Sequence, residues 1–184
     1  PYLYTMKNII TTLLLSLLTL VSYSQTELDM LAFKAVNEYR VEHGVNPLVF
    51  DSLVWEAAEH HTVYLQDNGY PNNYPLSSGH FEMELEFPSD RLKYFGVSSS
   101  YSGECITRWG GRDTDIENVN KMISLWDSSP AHKKGMLSKK ATKLAISLVG
   151  VYWEKTTSYK QPDGNFYEWK MSGTKYIATL LVVR

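Results

Sequence analysis

The chain has 184 residues, a formal charge of -2, 43% hydrophobic residues and a single cysteine. This length admits one ordinary domain with a real core. A lone cysteine excludes an intramolecular disulfide framework, and the lack of any basic block or stripe argues against a nucleic-acid partner.

Lys7 precedes an uncharged run from Ile9 to Val21, and the small residues of S-Y-S stand before Gln25. A basic residue, an apolar stretch of about a dozen residues and a small-residue exit form the pattern of a secretory signal peptide. Residues 1–24 are therefore expected to be a leader. Residues 1–5, which precede Met6 as the plausible initiator, are given no structural role. The apolar run is shorter than the roughly 20 residues that span a bilayer, so no membrane span is expected in the mature chain, 25–184.

Leu28, Leu31, Ala32, Ala35, Val36 and Tyr39 recur at steps of three and four and predict a first helix. Gly44 is its expected stop. The stretch G-V-N-P-L-V-F-D then turns into a second helix capped by Asp51 or Ser52, with an apolar face of Leu53, Val54, Ala57, Ala58, His61 and Leu65. Asn68-Gly69 ends it, and the turn-rich residues 70–79 lead to His80. Pro88 and Ser89 open a short helix that Gly96 closes. A loop and a short extended stretch follow through Cys105, and R-W-G-G-R-D reads as a flexible turn that lacks the lysine of a phosphate-binding loop.

Residues 114–127 are expected to be helical, with Ile116, Val119, Met122, Ile123 and Trp126 as the buried stripe. Ser129 caps a last short helix, and Pro130 suits its first position. Strands are expected at 143–153 and 176–183, separated by a Pro-Asp-Gly turn with aromatic flanks. Helices come first and strands cluster late, which reads as α+β.

His132 falls in the first turn of that last helix. The positive end of the helix dipole disfavours an imidazolium there, so a neutral imidazole is expected, able to bind a metal, accept a proton or form a hydrogen bond. His61, on an Ala-rich face, reads as a satisfied core histidine. His43 and His60 read as exposed, and the adjacent His60 and His61 point to different faces and make a poor chelate.

Six stretches, taken in order, resemble the bacterial branch of the CAP superfamily, also called SCP/PR-1-like or cysteine-rich secretory proteins. They are N-x-x-R at Asn37–Arg40, H-G-V-N-P-L-V-F-D, A-A-E-H-H-T-V-Y-L, the isolated His80, S-D-R-L-K-Y-F-G with Y-S-G-E-C-I, and W-D-S-S-P-A-H-K-K-G-M-L. The resemblance spans about residues 28–183. It implies a three-layer α-β-α sandwich with a central cleft that binds metals or other ligands. His80, Glu104 and His132 match three of the four cleft positions; the fourth, acidic in many members, is Ser129 here. Asp127 lies nearby in sequence but on another helix face, and does not replace it. Two imidazoles and a carboxylate suit Zn²⁺ with an open position for water. Equally, the histidines can be a hydrogen-bonded pair, Glu104 can brace its loop, and Ser129 can serve only as a cap.

Cys105 stands where the family usually has asparagine. A thiol near two histidines raises a Cys–His nucleophile, against the commoner role of a small buried residue. Arg108 and Trp109 could line the cleft rim. Trp153, Tyr159, Phe166, Tyr167 and Trp169 are expected mostly to pack against the sheet, with an exposed glycan or lipid platform as the alternative.

The leading expectation is a secreted or periplasmic binding module, a monomer, whose His/Glu-lined cleft takes a small ligand or a metal such as zinc, with lipid or envelope glycan as further candidate partners. A metal-assisted hydrolase using the same cleft is one alternative. An adhesion domain using the 153–170 hairpin is another.

Overall fold

Thr26 and Asp29 start the first helix. The Asp29 amide donates to Thr26 Oγ1 at 3.1 Å and the Thr26 amide donates back to Asp29 Oδ2 at 3.1 Å, a reciprocal cap that satisfies two orphan helix donors. The computed structural model describes residues 26–68, 80, 82, 85–111, 114–160, 162 and 166–184. The expected leader and the turn-rich residues 70–79 lie outside the described residues.

Helix α1 runs Glu27–Glu42, strand β1 Val49–Phe50, α2 Ser52–Asn68, α3 Pro88–Tyr94 and β2 Ser102–Gly111. Helix α4 (Asp115–Asp127) and α5 (Pro130–Met136) precede two long strands, β3 (Lys143–Lys160) and β4 (Phe166–Val183). Asp51 caps α2, its Oδ1 accepting the Leu53 and Val54 amides at 3.0 and 3.2 Å. Gly44 and Gly96 follow α1 and α3 with φ of 68° and 80°, the left-handed conformation that glycine adopts without steric cost.

The sheet order is β1-β3-β4-β2, with β1 parallel to β3 and the other pairs antiparallel. Side chains alternate across it, and both faces are covered. Leu144, Ile146, Leu148, Ala178, Leu180 and Val182 join a core with Ala32, Val36, Val119, Met122, Trp126 and Met136 from α1, α4 and α5. On the other face Ala145, Leu181 and Val183 pack with Val54, Trp55, Ala57 and Ala58 of α2 and Leu92 of α3. This is the expected α+β, three-layer α-β-α sandwich.

Asp29 also joins the layers. Its Oδ1 accepts the Leu148 amide of β3 at 2.7 Å, and its Oδ2 accepts Trp55 Nε1 of α2 at 3.1 Å. Burial raises the carboxyl pKa above its ordinary value, against the lowering effect of these hydrogen bonds. The N-x-x-R stretch is a second clamp. Asn37 exchanges two hydrogen bonds with the Leu48 backbone at 3.0 and 2.8 Å. Buried Arg40 donates to the carbonyls of Asn46 (2.9 Å), Met136 and Ser138 (3.1 Å).

Three local expectations change. Arg108–Gly111 is no flexible turn but the end of β2, paired with Thr174–Ile177; Trp109 stacks on Tyr176 with ring centroids 5.4 Å apart. Asn118 explains the second glycine, because its side chain fills the space a Cβ at Gly111 would need. Ile116 is exposed on α4, and Asn118 takes a buried place instead. Finally, β3 and β4 pair continuously as far as Lys160 and Phe166, well beyond the strands expected from apolar content. A two-stranded ribbon needs only backbone pairing, so its exposed part has no apolar run to mark it.

Candidate functional site

β2 is an edge strand, and its alternation organises the site. Glu104 pairs with Leu181 and Cys105 with Leu180, so the two side chains leave opposite faces of the sheet. Glu104 points toward the α2/α3 layer and Cys105 toward α5.

Both Glu104 oxygens are engaged. His80 Nδ1 lies 2.7 Å from Oε1, and Arg91 Nη2 of α3 donates to Oε2 at 2.5 Å. Burial pushes the Glu104 pKa up, but the His80 hydrogen bond and the charge of Arg91 outweigh it, leaving the pKa below the ordinary carboxyl value. Glu104 is therefore a carboxylate and can only accept, so His80 donates to it through Nδ1–H, which fixes the ring and leaves Nε2 as its other nitrogen. Arg91 also holds the backbone of this segment, donating from Nη1 to the carbonyls of His80 at 3.1 Å and Leu85 at 3.2 Å.

Arg91 leads to a second carboxylate. Its Nε lies 3.4 Å from Glu82 Oε1, and the same oxygen is 2.6 Å from His61 Nδ1. His60 Nδ1 lies 3.1 Å from the other Glu82 oxygen. The groups form one chain, His60/His61–Glu82–Arg91–Glu104–His80, with the side chains of His61, Glu82, Arg91 and Glu104 all buried. The hydrogen bonds within it, Glu82 with His61 and Glu104 with His80 and Arg91, fix the orientations of those side chains. His61 is thus the satisfied core histidine expected. His60 and His61 do diverge on α2, yet one carboxylate reaches both.

His132 comes from the opposite layer. It sits half-buried in the first turn of α5, with its pKa lowered by burial and, secondarily, by nearby His80. The expected neutral imidazole is present, though burial rather than the helix dipole leads the causes. Ser129 occupies the N-cap position of α5, but its side chain makes no capping hydrogen bond. The cap is backbone only, the Ser129 carbonyl accepting the Lys133 amide at 2.8 Å. Asp127 points away from the cleft, taking Lys133 Nζ at 2.7 Å and the Tyr39 hydroxyl.

Cys105 is a packing residue. It is 1% exposed, its Sγ donates to the His132 carbonyl at 3.5 Å, and burial pushes its pKa up to about 12. A thiol at that value holds almost no thiolate at neutral pH, which removes the Cys–His nucleophile.

The donor chemistry bears on a metal. His80 and His132 offer two imidazoles, while Glu104 is held by His80 and Arg91. Among the described residues no group of three or more His, Cys, Asp or Glu is arranged to hold a metal ion. Among the described residues, His80, Glu104 and His132 are not arranged as a three-ligand zinc shell.

Sequence reasoning missed Glu82 and Arg91. Glu82 stood two places after His80 in a stretch with no periodic apolar signal. Arg91 was visible as the arginine of S-D-R-L-K-Y-F-G, but its burial was not. Arg108 and Trp109 border a groove with Trp153 and Lys175.

Among the described residues no helix is long and apolar enough to cross a membrane. The search of curated proteins returned no match. Among solved structures, an extracellular protein containing an SCP domain from Bacillus anthracis is similar at a TM-score of 0.57 and 19% identity; the match covers 89% of this chain and 45% of that one. An outer surface protein from Borrelia burgdorferi is similar at a TM-score of 0.55 and 17% identity, over 88% of this chain and 96% of that one. The model of the cysteine-rich secretory protein family, CAP, matches residues 33–167, and the chain belongs to that family.

Proposed function

We propose that this chain is an extracellular or periplasmic binding module, exported by a leader over residues 1–24, whose cleft takes a small polar ligand between His80 and His132. The observation that carries this reading is the full engagement of Glu104 by His80 and Arg91. A carboxylate so held orients an imidazole; it is not a free general base. Two imidazoles facing one cleft offer polar ring nitrogens to a small polar ligand. The mature domain, 25–184, acts as a monomer in this reading.

The test is calorimetry and ring-proton NMR on residues 25–184, wild type against His80→Ala/His132→Ala. Small carboxylates, phosphates, amines and short sugars are titrated, with Zn²⁺ as a separate arm. Binding of one such ligand class that shifts both ring signals, and that disappears in the double variant, is the expected result. One-to-one zinc binding at about micromolar affinity or tighter, lost in the variant, would replace this reading with a metal centre and direct attention to hydrolysis.

A further inference from the structure

The outer halves of β3 and β4 form a ribbon with two chemically different faces. Cross-strand partners share a face, so the register sorts the side chains. One face carries Trp153, Lys155, Thr157 and Tyr159 opposite Gly173, Met171, Trp169 and Tyr167. The other carries Glu154, Thr156, Ser158 and Lys160 opposite Ser172, Lys170, Glu168 and Phe166. Both carboxylates of the ribbon strands, Glu154 and Glu168, are on the second face, where Lys170 Nζ lies 3.5 Å from Glu154. The first face holds rings and lysines and no acid.

Those rings are not core. Tyr159 is 55% exposed, Tyr167 51% and Trp169 56%, contrary to the expected sheet packing. Trp153 leans over Gly173, whose missing side chain makes room for the indole: a Cβ there would lie 3.3 Å from Trp153 Nε1. Lys175 Nζ sits 5.5 Å from the centre of the Trp153 ring. At the root of this face the last turn of α2 stops, leaving a groove of about 760 Å³ lined by Leu65, Gln66, Arg108, Trp153 and Lys175 among others.

We infer that this face and its groove dock an anionic glycan chain. Indole and phenol rings stack on the apolar faces of sugar rings, and successive positions on one strand face repeat at about 7 Å, giving a linear platform. Lys155 and Lys175 lie beside the rings on a chain whose formal charge is -2, so the cationic character is local to this face and complements carboxylate, sulfate or phosphate groups. A bilayer is the poorer fit. The groove is concave, and the sequence joining the strands, Q-P-D-G-N, is polar and carries an acid. The inference concerns a surface separate from the His80–His132 cleft and does not rest on it.

The experiment is affinity electrophoresis of residues 25–184 in dextran sulfate, polygalacturonate and uncharged dextran, at several salt concentrations. Co-sedimentation with phosphatidylcholine/phosphatidylglycerol vesicles runs in parallel. Retardation by at least one acidic polymer but not by dextran is expected, weakening with salt; the polymer that acts identifies the anionic group. Trp153→Ala/Trp169→Ala and Lys155→Glu/Lys175→Glu should each weaken it by about tenfold or more. The opposite-face variant Glu154→Gln/Lys170→Gln and the cleft variant His80→Ala/His132→Ala should bind as wild type. Far-UV circular dichroism and Tm confirm that each variant folds. No retardation, retardation that survives both ring and lysine variants, or vesicle binding in its place would overturn the inference.

Discussion

Cys105 Sγ and Gly135 are in direct steric register: a Cβ on Gly135 would lie 2.7 Å from the sulfur. The thiol also meets the His132 carbonyl one turn earlier, so β2 sets the height of the helix that carries His132. Gly135→Ala should destabilise the fold by about 1–3 kcal/mol despite the higher helix propensity of alanine, as overpacking does. Cys105→Ala added to it should recover most of the loss. Urea denaturation of the two single variants and the double gives the coupling; additive effects would show that the contact carries no strain.

The same burial makes Cys105 unreactive. With its pKa at about 12 and 1% exposure, the thiol should resist a disulfide-exchange reagent at pH 8 in the native protein. It should react fully once denatured. Rapid stoichiometric labelling of the native chain would contradict the packing described.

Arg40 ties α1 to the end of α5 through the carbonyls of Met136 and Ser138. Arg40→Met removes the charge yet leaves those acceptors buried and unpaired, at a cost of about 3 kcal/mol or more. Arg40→Lys cannot reproduce the fork and should cost nearly as much. Thermal unfolding measures the loss, and the His132 ring signal should shift in both variants.

Glu104 makes the fold acid-sensitive. Its folded pKa is lowered below the ordinary 4.5, so its stabilisation is complete above that value and is lost as pH falls through the folded pKa. Asp29, raised by burial, contributes with the opposite sign. Comparing wild type with Glu104→Gln isolates the first group. The variant should be less stable by about 3–5 kcal/mol at pH 7, where Arg91 loses its closest buried partner, and the difference should shrink as the pH falls below 4.5 through the lowered folded pKa. A difference independent of pH would remove the carboxylate from this role.

His132 predicts a separate window. Its pKa is lowered from 6.5 by burial and His80, so the unfolded chain takes up a proton there before the folded one does. Stability should therefore decline as pH falls from just above 6.5 to the folded pKa. His132→Asn should flatten that decline, as read by Tm against pH. Ring-proton NMR should show His132 titrating below 6.5.

By itself the sequence determined the helices, their stops at Gly44 and Gly96, the two late strands and the family. Those features are local: they depend on apolar period, cap chemistry and glycine conformation, all written in neighbouring residues. It also marked His80, Glu104 and His132 as a group, because the resemblance places them in one cleft. Only the tertiary structure decided what each does. Arg91 and Glu82 reach the site from positions with no periodic signal, and their pairing turns Glu104 from a candidate ligand into the carboxylate that orients His80. Strand alternation sends Cys105 to the other face of the sheet from Glu104, although the two are adjacent. The 153–170 hairpin was legible as two strands with aromatic flanks, but which of its rings share a face was not, for a related reason. Its aromatic face exists only in the cross-strand register, which joins residues of β3 and β4 that no single stretch of sequence displays together.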